Sequence, residues 1–266
     1  MAGRTLSPTL ADVVEELELD QPVVVTPALI RDIAVRRGLG TSPNVIAARL
    51  RHAGWLLATT RRGVWEFAPG AHAGPVGHGD PTLALRAMLA ADPNLPAALA
   101  LASAAWALGY ADRVPATVDV AVPVGSRVTP VLRRAAAVTT FTTRVGYITA
   151  KSVPCHRPES VLVHLAASPD APGSWGSVLE WLPDLAADAE PDVLSAELSS
   201  RPRAVAVRAG YLLSGMRPDL AGPLSALATD VVRFGPRAQV PRRHVAAWQV
   251  IDYLLPSDPT SWAPVR

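Results

Sequence analysis

Residues 26–68 read TPALIRDIAVRRGLGTSPNVIAARLRHAGWLLATTRRGVWEFA, and the fold turns on them. Thr26 followed by Pro27 marks a helix start. The hydroxyl accepts an orphan first-turn N–H, and proline at the first helical position forfeits no hydrogen bond. The helix that follows carries Leu29, Ile30, Ile33 and Ala34 on one face, and Gly38 and Gly40 stop it. Ser42 and Pro43 repeat the signal and predict a second helix ending at Gly54. Residues 55–60 and 64–68 then read as two strands. Arg61, Arg62 and Gly63 join them in a short hairpin, with glycine where a positive φ is easiest.

Upstream, Leu10, Val13, Val14 and Leu17 recur at helical spacing over residues 9–19, and residues 21–25 suit a short strand. The order is therefore helix, strand, helix, turn, helix, hairpin, which is that of a winged helix-turn-helix. Glycines and prolines crowd residues 69–80. The expected organisation is a DNA-binding domain at 1–70, a linker at 71–80 and a larger mixed domain at 81–266, an α+β fold overall. Within the larger domain the pattern predicts helices over 81–91, 95–109, 127–134, 158–167, 175–181, 191–198, 203–214 and 218–227. Strands are predicted over 117–122, 137–143, 146–152 and 231–234.

Apolar residues make up 49% of the 266-residue chain and charged residues 18%, which fits a packed globular protein rather than a disordered one. The single cysteine, Cys155, excludes an internal disulfide and a cysteine-based zinc site, and suits a reducing cytoplasm. The N-terminal stretch MAGRTLSPTLADVVEE lacks an apolar segment of signal-peptide length. The longest apolar run, residues 95–110, is shorter than the roughly 20 residues a bilayer span needs and reads as a buried helix. No membrane association and no cofactor are expected.

Net charge is only +2, yet it is unevenly spread. Residues 23–65 hold Arg31, Arg36, Arg37, Arg49, Arg51, Arg61 and Arg62 against Asp32 alone, so seven positives less one negative give +6. Charge gathered on one module is the footprint of a phosphate binder. In this fold the second helix of the turn enters the major groove. Ile46, Leu50 and Ala53 are expected to face the core, leaving Asn44, Ala48, Arg51 and His52 outward. Arginine pairs with guanine or phosphate and asparagine with adenine, which gives Arg51 and Asn44 their roles. Thr41, Ser42 and the first helical amides suit a phosphate. Arg61 and Arg62 at the hairpin tip suit a minor groove or the backbone, and Arg36 and Arg37 suit phosphate. Trp55 and Trp65 read as core aromatics of the hairpin.

The run 62–70 (RGVWEFAPG), then Ala73-Gly74-Pro75 and Gly79-Asp80-Pro81, resembles the wing and linker of AbiEi-type antitoxins of bacterial type IV toxin–antitoxin systems, which include mycobacterial members. Residues 102–113 (ASAAWALGYADR), Val120-Ala121-Val122-Pro123 and residues 175–198 resemble the same family. The resemblance implies a winged-helix domain joined to an antitoxin domain. It also implies repression of the protein's own operon through inverted repeats of double-stranded operator DNA, and a co-encoded toxin of nucleotidyltransferase type. The chain would act as a monomer or dimer on DNA. Only the DNA-contact role is carried onto the helix and wing positions named above.

Chemistry-bearing constellations are sparse. Asp119 lies in a strand-like run without the Gly-Ser and second acid of a nucleotidyltransferase site. His72 and His78 have no helical or hairpin partner. Cys155-His156 with His164 lacks an orienting acid, and Gly173-Ser174-Trp175-Gly176 misplaces the serine of a nucleophile elbow. Two basic groups remain: Arg127, Arg133, Arg134, Arg144 and Lys151, and Arg233, Arg237, Arg242 and Arg243. They extend a DNA-binding face, meet an acidic partner or are solvated. The alternatives to an autoregulating antitoxin are a winged-helix transcription factor with a C-terminal effector-binding domain and an enzyme acting on nucleic acid. A deep pocket with convergent polar groups would favour the first, and clustered carboxylates the second.

Overall fold

The computed structural model describes residues 6–72, 74–237 and 241–263. Residues 1–5 of the N-terminal stretch and Ala73 of the resemblance lie outside the described residues. The chain begins α1 (Pro8–Asp20), β1 (Val24–Val25), α2 (Pro27–Arg36), α3 (Pro43–His52), β2 (Leu56–Ala58) and β3 (Trp65–Phe67). It continues α4 (Leu83–Ala91), β4 (Ala98–Leu99), α5 (Leu101–Leu108), β5 (Asp119–Val122), α6 (Pro130–Ala135), β6 (Ala137–Thr140), β7 (Tyr147–Ala150) and β8 (Val153–His156). The remainder is α7 (Pro158–Ala167), α8 (Trp175–Leu179), α9 (Leu182–Ala187), α10 (Pro191–Leu198), α11 (Arg203–Leu213), α12 (Pro218–Ser225), β9 (Val232–Phe234), β10 (Arg243–Val245) and β11 (Val250–Asp252). The fold is α+β. Among the described residues no helix is long and apolar enough to cross a membrane.

The chain divides into two compact units. One holds the residues up to Leu95 together with Thr129–Ala135, and the other holds the rest. In the first unit the antiparallel sheet has the order β1-β3-β2, with Val24 opposite Glu66 and Leu56 opposite Phe67. Three helices cover it, and Val13, Leu17, Ile30, Ile33, Ile46, Leu50 and Phe67 form its core. This arrangement is compatible with a winged helix. The Thr26 cap forms as expected: its hydroxyl accepts from the Leu29 N–H at 3.2 Å, with Pro27 behind it. Helices α4 and α6 belong to the same unit and pack together, burying Leu85, Met88 and Leu132.

The second unit is built on a mixed five-stranded sheet of order β6-β5-β4-β8-β7. Helix α7 is buried along nearly its whole length and packs against α5, α9, α10 and α11. A smaller sheet, β10-β11-β9, pairs Val250 with Val232 in parallel.

Two expectations are corrected here. Residues 95–109 are not one helix. Ala98 and Leu99 form β4, the central strand, and the chain turns at Leu101 (φ +46°) into α5. A strand buried on both faces is a continuous apolar run and has no period to separate it from a buried helix. Residues 175–181 are likewise not one helix, since α8 stops at Leu179 and α9 begins at Leu182 with Pro183 in its first turn.

Candidate nucleic-acid interface

Helix α3 starts at Pro43, but Ser42 does not cap it with its side chain. Instead the Ser42 carbonyl accepts from the Val45 and Ile46 N–H groups at 3.0 and 3.1 Å, leaving the hydroxyl exposed. Ile46, Ala47 and Leu50 are buried, which fixes the helix rotation. Ala53 is only half-buried, and Ala47, not singled out in the sequence, completes the inward stripe. Asn44, Ala48, Arg51 and His52 are exposed, as are Val45 and Arg49, and Thr41 is half-exposed in the turn before the helix. Gly54, at φ +76°, ends the segment.

The hairpin holds Arg61 and Arg62 at its tip. Leu56 pairs with Phe67 and Ala58 with Trp65. Thr59 closes the loop: its hydroxyl donates to the Val64 carbonyl at 2.7 Å and accepts from the Arg61 N–H at 3.2 Å. Gly63 takes φ +81°, the left-handed conformation that side chains disfavour. Between this tip and α3 lies a cleft of about 280 Å³, whose lining includes Asn44, Arg51, Thr59, Arg61, Arg62 and Trp65. Four of the residues singled out from sequence, Asn44, Arg51, Arg61 and Arg62, therefore share one concavity. Trp55 is buried and stacks on Phe67 with centroids 6.5 Å apart, whereas Trp65 is half-exposed at the cleft wall.

Arg36 and Arg37 are placed differently. Arg36 donates to one Glu16 oxygen at 2.9 Å, and Arg37 donates to the other at 2.7 Å while also reaching Glu15 at 3.1 Å. The hydrogen bond from Arg36, then that from Arg37, holds the Glu16 carboxyl below its ordinary range. Helix α1 thus neutralises the end of α2. By contrast, residues 41–65 contain no acid at all. The net positive charge of this unit's first 65 residues falls on α3 and the hairpin tip.

In the second unit Asp119, Cys155 and Ser174 each have a structural partner. Asp119 accepts from the Ser103 N–H at 3.3 Å and from its hydroxyl, standing in for the cap that Ala100 cannot supply to α5, and burial pushes its carboxyl up to about 6. The Cys155 thiol is buried, donates to the His156 carbonyl at 3.4 Å, and is pushed up to about 12 by burial, far from a nucleophilic thiolate. Ser174 caps α8 through the Ser177 N–H. Among the described residues no three His, Cys, Asp or Glu side chains are placed to hold a metal.

The basic groups disperse. Arg133 and Arg134 are exposed on α6 in the first unit; Arg127, Arg144, Arg233, Arg237 and Arg242 are exposed in the second. Lys151 lies 4.8 Å over the Trp106 ring. Arg243 is structural, bonded to Asp252 at 2.7 Å and to the Leu255 and Ser257 carbonyls.

Residues 97–215 match the AbiEi antitoxin C-terminal domain. Across solved structures, the chain is similar to the RV2827C protein from Mycobacterium tuberculosis, at 29% identity and a TM-score of 0.73 over 96% of this chain and 94% of that one. Among curated proteins none matches.

Proposed function

We propose that this chain is an antitoxin that binds operator DNA through α3 and the hairpin tip, a reading supported by the match of residues 97–215 to the AbiEi antitoxin C-terminal domain. On this reading it represses its own toxin–antitoxin operon and counters a co-encoded nucleotidyltransferase-type toxin. The carrying observation is the cleft where Asn44 and Arg51 face Arg61 and Arg62, in a 25-residue stretch free of acids. A helix for the major groove beside a cationic tip for an adjacent groove or backbone is what a winged helix needs for duplex binding. Asn44 suits an adenine edge, Ala48 and His52 stand on the outward face, and Thr41, Ser42, Arg51, Arg61 and Arg62 suit phosphate. Arg36 and Arg37, engaged by Glu15 and Glu16 of α1, are assigned no direct contact.

A C-terminal effector site is the competing reading. It draws on a cleft of about 620 Å³ bordered by α10, α11 and α12, floored by Leu194, Leu198, Ala206, Leu220 and Leu224. The charged groups there are already spoken for, Arg203 by Asp230, Arg201 by Glu197 and Asp219 by Arg217. The cleft therefore lacks the convergent free polar groups that fix a small molecule. The test is titration of the protein with a duplex taken from immediately upstream of its own gene and with a scrambled duplex of equal composition. Preference for the upstream duplex is expected; equal affinity for both contradicts the operator reading.

A further inference from the structure

The outward face of α3 carries one feature that phosphate binding leaves unused. Val45 is 43% exposed in the first turn, and Ala48, three residues on, is exposed beside it. Residues three apart on a helix are surface neighbours, so their methyl groups make one small apolar strip. Arg49 lies one turn beyond Val45, and Arg51 lies three residues beyond Ala48, both exposed. A β-branched residue on a solvent face costs helix stability relative to alanine and here gains no core packing in return. The flanking charge and the absence of acids identify the occupant of this strip as the polyanionic duplex of the DNA-binding reading, on which this inference rests. Within a major groove, thymine is the standard base that presents a methyl group, and small apolar side chains recognise it by contact.

We propose that Val45 and Ala48 read thymine 5-methyl groups in each operator half-site, while Arg49 and Arg51 hold the strip in register from either side. Specificity then comes partly from apolar contact and not only from hydrogen bonds. The charge would supply affinity for any duplex, and the methyl strip would choose among sequences.

The test uses the full-length protein and the duplex from upstream of its own gene. Thymines within the half-site are replaced one at a time by deoxyuridine, which deletes a single methyl and keeps every hydrogen-bonding group. At one or two positions the affinity is expected to fall by about three- to fivefold, the worth of one buried methyl. In the Val45→Ser, Ala48→Ser double variant the difference between thymine and uracil at those positions disappears, and Val45→Thr, which keeps one methyl, retains part of it. Specific binding with no sensitivity to uracil anywhere overturns the methyl strip and leaves the DNA-binding reading standing. So does uracil sensitivity that persists in a folded double variant. Absence of preference for the upstream duplex overturns the DNA-binding reading itself, and the strip with it.

Discussion

Arg37 donates to Glu16 at 2.7 Å across twenty-one residues of chain, tying the end of α2 to α1. The same carboxylate takes Arg36 on its other oxygen. Two of the seven arginines of residues 23–65 are thereby paired with α1 acids in exposed ion pairs. The expected outcome of Arg37→Ala is a slightly lower Tm and operator affinity unchanged to within about twofold, since exposed ion pairs contribute little to stability. Thermal melting and a binding titration check it together. A large loss of affinity in a variant that melts normally would return Arg37 to the DNA surface.

His156 and His164 predict sensitivity to mild acid. Their rings lie 5.9 Å apart, His164 stacks on Phe141 at 4.4 Å, and neither ring nitrogen of either residue has a hydrogen-bond partner. Burial, helped by the positive charge of Arg201, pulls His156 down to about 4, and burial, His156 and Arg201 pull His164 down to about 3. The unfolded chain takes up protons near the ordinary value of 6.5 while the folded one does not, so unfolding binds protons in between. The stability these two neutral histidines contribute is full above about 6.5 and is lost as pH drops towards 4, opposed in part by Asp119, whose carboxyl burial pushes up to about 6. The Tm of the wild type should decline over that window, and His164→Phe should make the decline shallower. An identical slope in that variant would contradict the assignment.

Glu197 is the most heavily bonded buried acid of the second unit. It is fully buried, pairs with Arg201, and accepts from the Thr143 and Ser160 hydroxyls at 2.8 and 3.2 Å and from the Arg144 N–H at 2.9 Å. Glu197→Ala leaves Arg201 and these donors without their acceptor, and a loss of about 3–5 kcal/mol is expected in urea unfolding. A loss below about 1 kcal/mol would mean the network is dispensable.

Cys155 should be inert in the native protein. With its thiol buried and pushed up to about 12, reaction with a disulfide reagent at pH 8 is expected only after denaturant is added. Stoichiometric labelling of the folded protein within minutes would reopen nucleophilic chemistry at this position.

These residues also mark what a sequence reveals. The Thr26-Pro27 start, the Gly63 turn and the inward placement of Ile46 and Leu50 on α3 are set by local rules, and they are visible in the residues themselves. Strand β4 was hidden because its neighbours are as apolar as it is. Strand β8 carries Pro154, which argues against a strand when read alone. Strands β10 and β11 are short, and β11 depends on a parallel partner eighteen residues away, Val250 on Val232. The fate of Arg36 and Arg37 was illegible for the same reason, since their partners lie on another helix. That Asn44, Arg51, Arg61 and Arg62 stand on the outward helix face and the hairpin tip followed from short-range patterns. Val45 did not, because an exposed valine has no periodic signature.

On the proposed reading, α3 and the hairpin tip meet phosphates with Arg51, Arg61 and Arg62. The most direct measurement is operator affinity against salt concentration for the wild type and for the triple alanine variant. Removing one arginine–phosphate pairing lowers the slope of log affinity on log salt by about 0.9, so the triple variant should bind more weakly with a slope shallower by about 2.7. An unchanged affinity and slope would place the DNA-binding surface elsewhere.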